Sequence, residues 1–476
     1  MSYALYVGRE LTAEGVGFLA GYGDEPSSHW LEIVPRQHHM AGTEIEVGMT
    51  PQARMPGVRS SIPQVETTYR YLCVSYSQYL GAPSPLTNGG LNEHGVAVRD
   101  VWSPSHPRLV EMTPTDQRGP NYSDLARLVL QRCRTARQGV ELIGRLIAEH
   151  GDSTYGGNSH LIADADEAWV VVEFAGGAGL WVAERLGSRS IRVSRPGYVS
   201  VVPADFAERE DYAGAAHLIE FAVDRGWYRR SDGPFDANVV YGDGRGRWDG
   251  VVWMEDELAR RAAAPERLAF EDICWALRSE RLTGDTAGYG QVVPLLPASE
   301  LSQLRILWHA VVGPVAAPFA PVPLGVARVE PEFARHRYLT AGESSAFVGG
   351  DLADGDVVSS VPQAVEATRS AVAVHKRLLY LLAEHHEVFL PEVTPVWTAL
   401  EGQSASRLAS VLESARLLIE GGRLDLAEEL LTRFSSDEML RGLDLAEAMV
   451  ASMEARARLL FGVRESTGWR GPEVIW

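Results

Sequence analysis

The sequence predicts an α+β protein whose C-terminal part is mainly helical. The first third of the chain consists of short apolar runs separated by Gly, Pro and polar turns, which is typical of strands. Residues 122–150 instead repeat their apolar positions at helical spacing, and residues 362–464 continue that spacing almost without a break. Strands, helices, strands and again helices along one chain indicate a layered α+β core.

The same patterns give the order of the elements. Strands are predicted, in order, at residues 3–7, 16–20, 30–34, 95–98, 160–163, 168–174, 180–184, 191–193 and 198–202. Two helices are predicted between residues 122 and 150, and Ser123 is the expected N-cap of the first. We divide the chain into a domain of residues 2–360 and a mainly helical part, residues 361–476, packed on that domain.

Composition narrows the classes of function. The chain has 476 residues, of which 45% are hydrophobic, so a large core is expected. Its formal net charge of −19 repels phosphate backbones, so no nucleic-acid partner is expected. The sequence shows neither a signal-peptide pattern nor a run of about 20 apolar residues, so no membrane partner is expected. The expected location is cytoplasmic.

Cysteine and histidine patterns do not indicate a metal or a cofactor. Cys73, Cys133 and Cys274 are far apart and odd in number, so we interpret them as reduced thiols. The pair His38-His39 and the acidic run 164–167 lack the spacing of a closed metal site. No metal ligand and no cofactor are therefore predicted.

Five stretches, taken together, resemble dipeptidase A-type peptidases and secernins. They are residues 62–71 (IPQVETTYRY), residues 89–97 (GGLNEHGVA), residues 122–146 with Arg134-Thr135-Ala136-Arg137 at their centre, residues 162–183 (IAD, EAWV and WVA in order), and residues 304–321 (LRILW followed by PFAP). The five keep the order and rough spacing that this family shows. No single stretch is specific, so the assignment depends on all of them.

That family resembles the bile-salt hydrolase and penicillin acylase branch of N-terminal-nucleophile hydrolases, which implies an αββα sandwich with the nucleophile at the start of a strand. Family sequences begin Cys-Thr-Thr-hydrophobic-hydrophobic-Val-Gly, and aligning Val7-Gly8 with that Val-Gly places Ser2 on the cysteine. Removal of Met1 would expose the Ser2 amine, whose ordinary pKa of about 7.7–8.0 allows part of it to act as a base. The other interpretation is an ordinary serine after the start.

The resemblance also places the family's Arg-Asn-x-Asp on Gly21-Tyr22-Gly23-Asp24. Asp24 is then expected to orient the Ser2 amine, although it is equally interpretable as a turn acid, and Tyr22 is expected to bind substrate. Gly21 stands where the family has its arginine, so a fixed positive charge is missing there. We expect an arginine from a distant segment, or the Tyr22 hydroxyl, to fill the space and reach Asp24 or Ser2.

Asn92 falls on the family's Gly-x-Asn-Glu-x-Gly-Val motif, for which the resemblance implies an oxyanion donor. A preorganised donor of this kind lowers the barrier by roughly 3–4 kcal/mol. The alternative is a turn asparagine before a strand. A second oxyanion asparagine is expected near Arg195-Pro196, where none stands. If the predicted site is correct, Ser2, Asp24 and Asn92 converge on one pocket.

The predicted function is a dipeptidase-like amide hydrolase that uses Ser2 on dipeptides or small N-acyl amino acids. Two alternatives stay open: an altered reaction, such as acyl transfer or amide formation in a specialised biosynthetic pathway, and a non-catalytic binding protein. The expected partner is a dipeptide or another small molecule, and a homo-oligomer is left open.

Overall fold

The structure is a computed structural model that describes residues 2–23, 29–49, 56–76, 86–263, 267–279, 288–334 and 369–462. The protein is a mixed α/β structure with antiparallel sheets. The strands are β1 (Tyr3–Val7), β2 (Gly17–Tyr22), β3 (His29–Val34), β4 (Gln37–His38), β5 (Glu44–Gly48), β6 (Arg59–Pro63), β7 (Thr67–Thr68), β8 (Tyr71–Tyr76), β9 (Leu86–Asn92), β10 (Ala97–Trp102), β11 (Asn158–Ala163), β12 (Ala168–Glu173), β13 (Trp181–Leu186), β14 (Ile191–Ser194), β15 (Val201–Val202), β16 (Tyr212–Gly214), β17 (Phe235–Asp236), β18 (Gly290–Leu295), β19 (Ile306–Ala310) and β20 (Ala320–Pro323).

The helices begin after β10. They are α1 (Pro107–Met112), α2 (Tyr122–Arg132), α3 (Ala136–His150), α4 (Leu218–Asp224), α5 (Ala237–Tyr241), α6 (Asp249–Ala262), α7 (Phe270–Leu277), α8 (Ala371–Glu384), α9 (His386–Glu420) and α10 (Leu424–Phe461). Among the residues that the structure describes, no helix combines the length and the apolar character that crossing a membrane requires.

The chain forms two compact units. The first comprises Met1–Gly21, Val34–Ala269 and Val293–Ser302, and the second comprises Tyr22–Ile33, Phe270–Val292 and Gln303–Trp476. The predicted boundary after residue 360 falls between residues 335 and 368, outside the described residues. Of the predicted site residues, Ser2 and Asn92 belong to the first unit and Tyr22 to the second.

Two groups of strands build the first unit. One has the order β16-β13-β12-β11-β10-β9-β8, and the other has the order β14-β1-β2. Helices α2 and α3 pack on the first group, β1 packs against β10, and α6 packs on β14. Helices α2 and α3, the sheet of β10 and the sheet of β1 therefore form successive layers, and α6 lies along the edge strand β14, where Glu255 accepts a hydrogen bond from the Val193 amide.

Alternation along β10 separates the two faces of its sheet. Arg99 is paired with Leu161 and Asp100 with His160, so Arg99 and Asp100 point to opposite faces. His160 bonds the Tyr122 carbonyl at the start of α2, which identifies its face as the helix-facing side. We call the other face, on which Arg99 lies, the β1-facing side.

The first predicted helix is present, but its cap differs from the prediction. Asn121, not Ser123, is the N-cap of α2, and its side chain accepts a hydrogen bond from the Asp124 amide. Asp124 accepts in return from the Asn121 amide, which completes a capping box. The Ser123 hydroxyl instead accepts a hydrogen bond from the Thr87 amide and so fixes α2 to β9.

In the second unit, β18, β19 and β20 form consecutive antiparallel pairs. Helix α10 packs on β20 and on both α8 and α9. A buried ion pair between Arg278 and Glu401 joins α9 to the segment after α7, and Glu401 also accepts a hydrogen bond from the Phe319 amide at 2.7 Å. This bond gives the buried carboxylate a second partner, as a charge away from water requires.

Candidate active site

Ser2 lies directly before β1 and is buried, with 9% of its surface exposed. All five residues of β1 are buried, and the strand is flanked by β14 and β2, which confirms the predicted interior strand. The β1–β14 register pairs Ala4 with Ser194, the last residue of β14, so Ser2 lies two residues before the first registered pair. The fold thus holds Ser2 at the end of a fixed strand. Its role as nucleophile stays a prediction.

The space beside Gly21 is filled by an arginine from a distant strand. A Cβ atom at Gly21 would stand 3.1 Å from both Cγ and Nε of Arg99, and 2.2 Å from the Tyr3 carbonyl oxygen. Arg99 is completely buried, and it lies next to the residue that follows Ser2. A distant arginine therefore lies beside Gly21, as predicted, whereas its predicted reach to Ser2 stays a prediction and Asp24 lies outside the described ranges.

Asn92 has a different environment from the one predicted. Its Nδ2 donates to the carbonyl oxygens of Leu130 at 3.0 Å and Cys133 at 2.8 Å, at the end of α2. Its Oδ1 accepts from the amides of His94 and Val96, both at 3.0 Å. Both donor hydrogens are therefore engaged with the helix-facing side of the sheet. This geometry favours the alternative interpretation of a turn asparagine that precedes a strand.

The strand register also shows that the Asn92 side chain points to the helix-facing side of the sheet. Ala97 is paired with Leu91, and Arg99 is paired with Gly89. Leu91 therefore shares the β1-facing side with Arg99, and Asn92, the next residue, points away from it. The structure brings Arg99 close to the N-terminal strand and does not place the Asn92 side chain on that face.

Tyr22 is the last residue of β2 and is fully buried. It belongs to the second unit, where the neighbouring Gly23 amide donates to the Tyr289 carbonyl at 2.8 Å. Its role in substrate binding stays a prediction, and so does the convergence of Ser2, Asp24 and Asn92, because Asp24 is not among the described residues.

A cavity of about 670 Å³ opens in the first unit. It is lined by Trp102, Pro104, Ser105, Pro107, Arg195, Pro196, Asp243, Arg245, Gly246, Arg247, Trp248 and Asp249. Arg195 and Pro196 of this lining directly follow β14, whose last residue, Ser194, is paired with Ala4 of β1. Sequence reasoning missed most of these residues, although the Gly-rich run of residues 242–249, with two arginines and a tryptophan, was a usable signal.

The three arginines of the cavity differ in how they are held. Arg247 forms an ion pair with Glu255 and donates to the Val193 carbonyl at 3.2 Å, which ties the loop to α6 and β14. The Arg195 guanidinium lies 5.1 Å from the centre of the Trp248 ring. Arg245 is exposed, and only its backbone amide has a hydrogen bond in the described structure, to Asp243 at 3.0 Å.

A second polar cluster lies on the helix-facing side of the sheet. Both nitrogens of His160 face acceptors: Glu173 at 2.8 Å and the Tyr122 carbonyl at 3.0 Å. Burial lowers the pKa of His160, but the Glu173 carboxylate outweighs burial and raises that pKa to about 8. Burial, with the charge of Glu173, raises the pKa of Asp152 to about 7. We interpret this cluster as part of the scaffold.

Across the described ranges, no group of three or more His, Cys, Asp or Glu side chains is arranged to hold a metal ion. No metal-dependent step enters the function proposed below.

Residues 33–247 match Peptidase family C69, which confirms the predicted relationship to dipeptidase A-type peptidases. Relatives include a probable dipeptidase B of Lactococcus lactis, 32% identical over 130 residues, which are 27% of this chain and 26% of that protein. A probable dipeptidase A of Streptococcus pyogenes is 28% identical over 161 residues, 34% of this chain and 33% of that protein. The aligned stretches therefore span only about a quarter to a third of these relatives.

Among solved structures, a mutant of conjugated bile acid hydrolase from Clostridium perfringens aligns with a TM-score of 0.29 and 12% identity, over 65% of this chain and 89% of that chain. The family match begins at residue 33. It includes Asn92, Arg99 and most of the cavity but not Ser2, so the N-terminal part of the site depends on the geometry described above.

Proposed function

We propose that the first unit is an αββα N-terminal-nucleophile sandwich and that the protein hydrolyses amide bonds of dipeptides or small N-acyl amino acids with Ser2 as nucleophile. The observation that carries this proposal is the position of Ser2, buried at the head of an interior strand whose neighbour β14 leads directly into Arg195 and Pro196 of the cavity wall. The peptidase family match supports the class of reaction. The packing of α2 and α3 on one sheet, and of that sheet on β1, supports the sandwich.

The chemistry requires the amine of residue 2 to be free, so Met1 must be removed. The neutral Ser2 amine accepts the hydroxyl proton while Oγ attacks the substrate carbonyl, because a serine alone is a weak nucleophile. The tetrahedral intermediate then expels the amine product, which takes that proton, and leaves an ester on Ser2. Water, deprotonated by the same amine, attacks the ester, and collapse of the second intermediate releases the acid and returns the proton to Oγ.

Arg99 supplies the positive charge in this proposal. A guanidinium buried between the two sheets acts in a low-dielectric environment, where it stabilises negative charge more strongly than at the surface. It takes the place that the family resemblance gives to an arginine at Gly21, and it reaches that place from the facing sheet. We assign it as a positioning residue for the N-terminal group.

A second candidate function is favoured by the oxyanion positions. The Asn92 amide is fully engaged with α2, and Arg195 stands where a second asparagine was expected. A site with neither donor is compatible with an altered reaction, acyl transfer or amide formation, or with binding alone. In either case the cavity is the ligand site.

Intact mass and a variant pair separate these functions. The purified protein is expected to lack Met1, and the wild type should cleave at least one member of a panel of dipeptides and N-acyl amino acids. Ser2→Ala should abolish this turnover, Ser2→Cys should retain or increase it, and Ser231→Ala, at a serine beside Asp232 outside the cavity, serves as control. Retention of Met1, or equal turnover by wild type and Ser2→Ala, would overturn the role of Ser2.

A further inference from the structure

We propose that the cavity selects ligands that carry a free carboxylate beside a large apolar group, and that Arg245 is the residue that binds the carboxylate. This inference specifies the substrate class of the function proposed above and rests on it only for the identity of the site. It starts from the chemistry of the cavity wall, which combines two indole rings with three guanidinium groups.

The apolar part of the ligand is expected to contact the Trp248 ring. A Cβ atom at Gly250 would stand 3.0 Å from that ring, so the ring packs directly against the start of α6. Arg195 lies against the ring as well. Trp248 nevertheless remains 43% exposed, which leaves ring surface for a ligand. Trp102, at the end of β10, contributes the second indole of the cavity.

The ion pairs in the cavity wall indicate that Arg245 is the arginine that binds the carboxylate. Arg247 is already neutralised by Glu255 and fixed to β14, so it serves the scaffold. No ion pair or side-chain hydrogen bond holds the Arg245 guanidinium within the described ranges. The wall has two acids, Asp243 and Asp249. The Asp243 side chain accepts a hydrogen bond from the Arg245 backbone amide and so shapes the loop, and Asp249 is the first residue of α6. The guanidinium itself is left to an outside anion, for which its planar donor pair is suited.

The loop allows this side chain to move onto a ligand. Gly244 and Gly246, on either side of Arg245, have φ values of 68° and 72°, a region that favours glycine. Nothing lies within 4 Å of a Cβ atom at either position, so the backbone around Arg245 is not packed. Helix α6 begins at Asp249 without a side-chain cap from Trp248, and its first amides add partial positive charge to the same wall.

The test measures binding in the Ser2→Ala protein, so that no ligand is consumed and a failure of catalysis leaves the readout intact. The probes are N-acetyl-L-phenylalanine and N-acetyl-L-phenylalaninamide, which differ only in the carboxylate, and the measurement is isothermal titration calorimetry. The acid is expected to bind at least about 10-fold more tightly than the amide, because a charge-assisted pair replaces a neutral contact. Added salt should reduce the preference.

Single-residue variants test which side chains cause the preference for the acid. Arg245→Gln should remove the preference for the acid, and Arg230→Gln, at an arginine paired with Glu220 away from the cavity, should keep it. Trp248→Ala should weaken both probes. Equal binding of acid and amide, no binding of either probe, or an unchanged preference in Arg245→Gln would overturn the inference. If the acid is preferred but no panel substrate is cleaved by the wild type, the hydrolase proposal fails and the carboxylate site stands.

Discussion

On the helix-facing side of the sheet that contains β10, Asn92 makes four hydrogen bonds to backbone groups and His160 makes two, one to the backbone and one to Glu173. On the β1-facing side, Arg99 is completely buried beside the strand that follows Ser2. Arg99 and Asp100 are adjacent in sequence but serve these two different environments. The environment of a residue in this sheet therefore depends more on the face of the strand than on the sequence motif that contains it.

The largest expected effect tests the scaffold assignment of Asn92. Asn92→Ala leaves two carbonyl and two amide groups without their partner, so unfolding free energy should fall by about 4 kcal/mol. Turnover per folded molecule, measured at low temperature, should stay within a few-fold of wild type. Urea unfolding and steady-state kinetics check the two statements. A large loss of turnover without loss of stability would return Asn92 to the site.

The next effect tests the β1-facing side. Arg99→Met keeps most of the volume but removes the charge, so turnover should fall about 100-fold, as for the loss of one preorganised donor. Arg99→Lys should recover part of the activity and should shift the pH profile of kcat, which a purely structural role would not do. Arg209→Met, at an exposed arginine paired with Asp211, is the control. Wild-type kinetics in Arg99→Met would remove Arg99 from the proposal.

A smaller effect concerns the contact between the two sheets. Gly21→Ala places a methyl group 2.2 Å from the Tyr3 carbonyl oxygen and 3.1 Å from Arg99, so it should destabilise the protein by about 2 kcal/mol. Gly402→Ala, inside α9 with nothing within 4 Å, should instead be stabilising by about 0.5–1 kcal/mol. Thermal unfolding of the two variants compares them directly, and equal shifts would contradict the close approach at Gly21.

The smallest effect is a pH dependence from the helix-facing side. Because the pKa of Asp152 is raised to about 7 by burial and by Glu173, the folded state binds its proton more tightly than the unfolded state does. The stability that this proton provides is present at low pH and is lost as pH rises from about 4 to 7. Asp152→Asn should flatten this fall by at least about 1 kcal/mol between pH 5 and pH 7.5 in urea titrations. An equally steep fall in the variant would exclude Asp152 as its source.

Sequence patterns located several elements well and located side chains less well. The apolar run at residues 3–7 and the helical spacing after residue 122 depend on local periodicity, and both elements are present. Ser123 was mistaken for the cap because Asn121, two residues earlier, forms the capping box with Asp124. The direction of the Asn92 side chain depends on strand register, which one sequence does not show. The cavity gathers distant segments, so its lining could not be assembled from one sequence, and its Gly-rich loop was not singled out.

The contact between Gly21 and Arg99 has a consequence for how relatives of this chain are compared. The family resemblance implies an arginine on β2 at position 21, whereas in this chain the guanidinium beside Gly21 comes from Arg99 on β10. A sequence alignment that scores each position separately therefore records the loss of an arginine at position 21. In three dimensions the positive charge is supplied by the facing strand. Sequences sorted by the pair of positions 21 and 99 together should fall into two groups, one with its arginine on each strand, and substitutions at the two positions should be strongly epistatic.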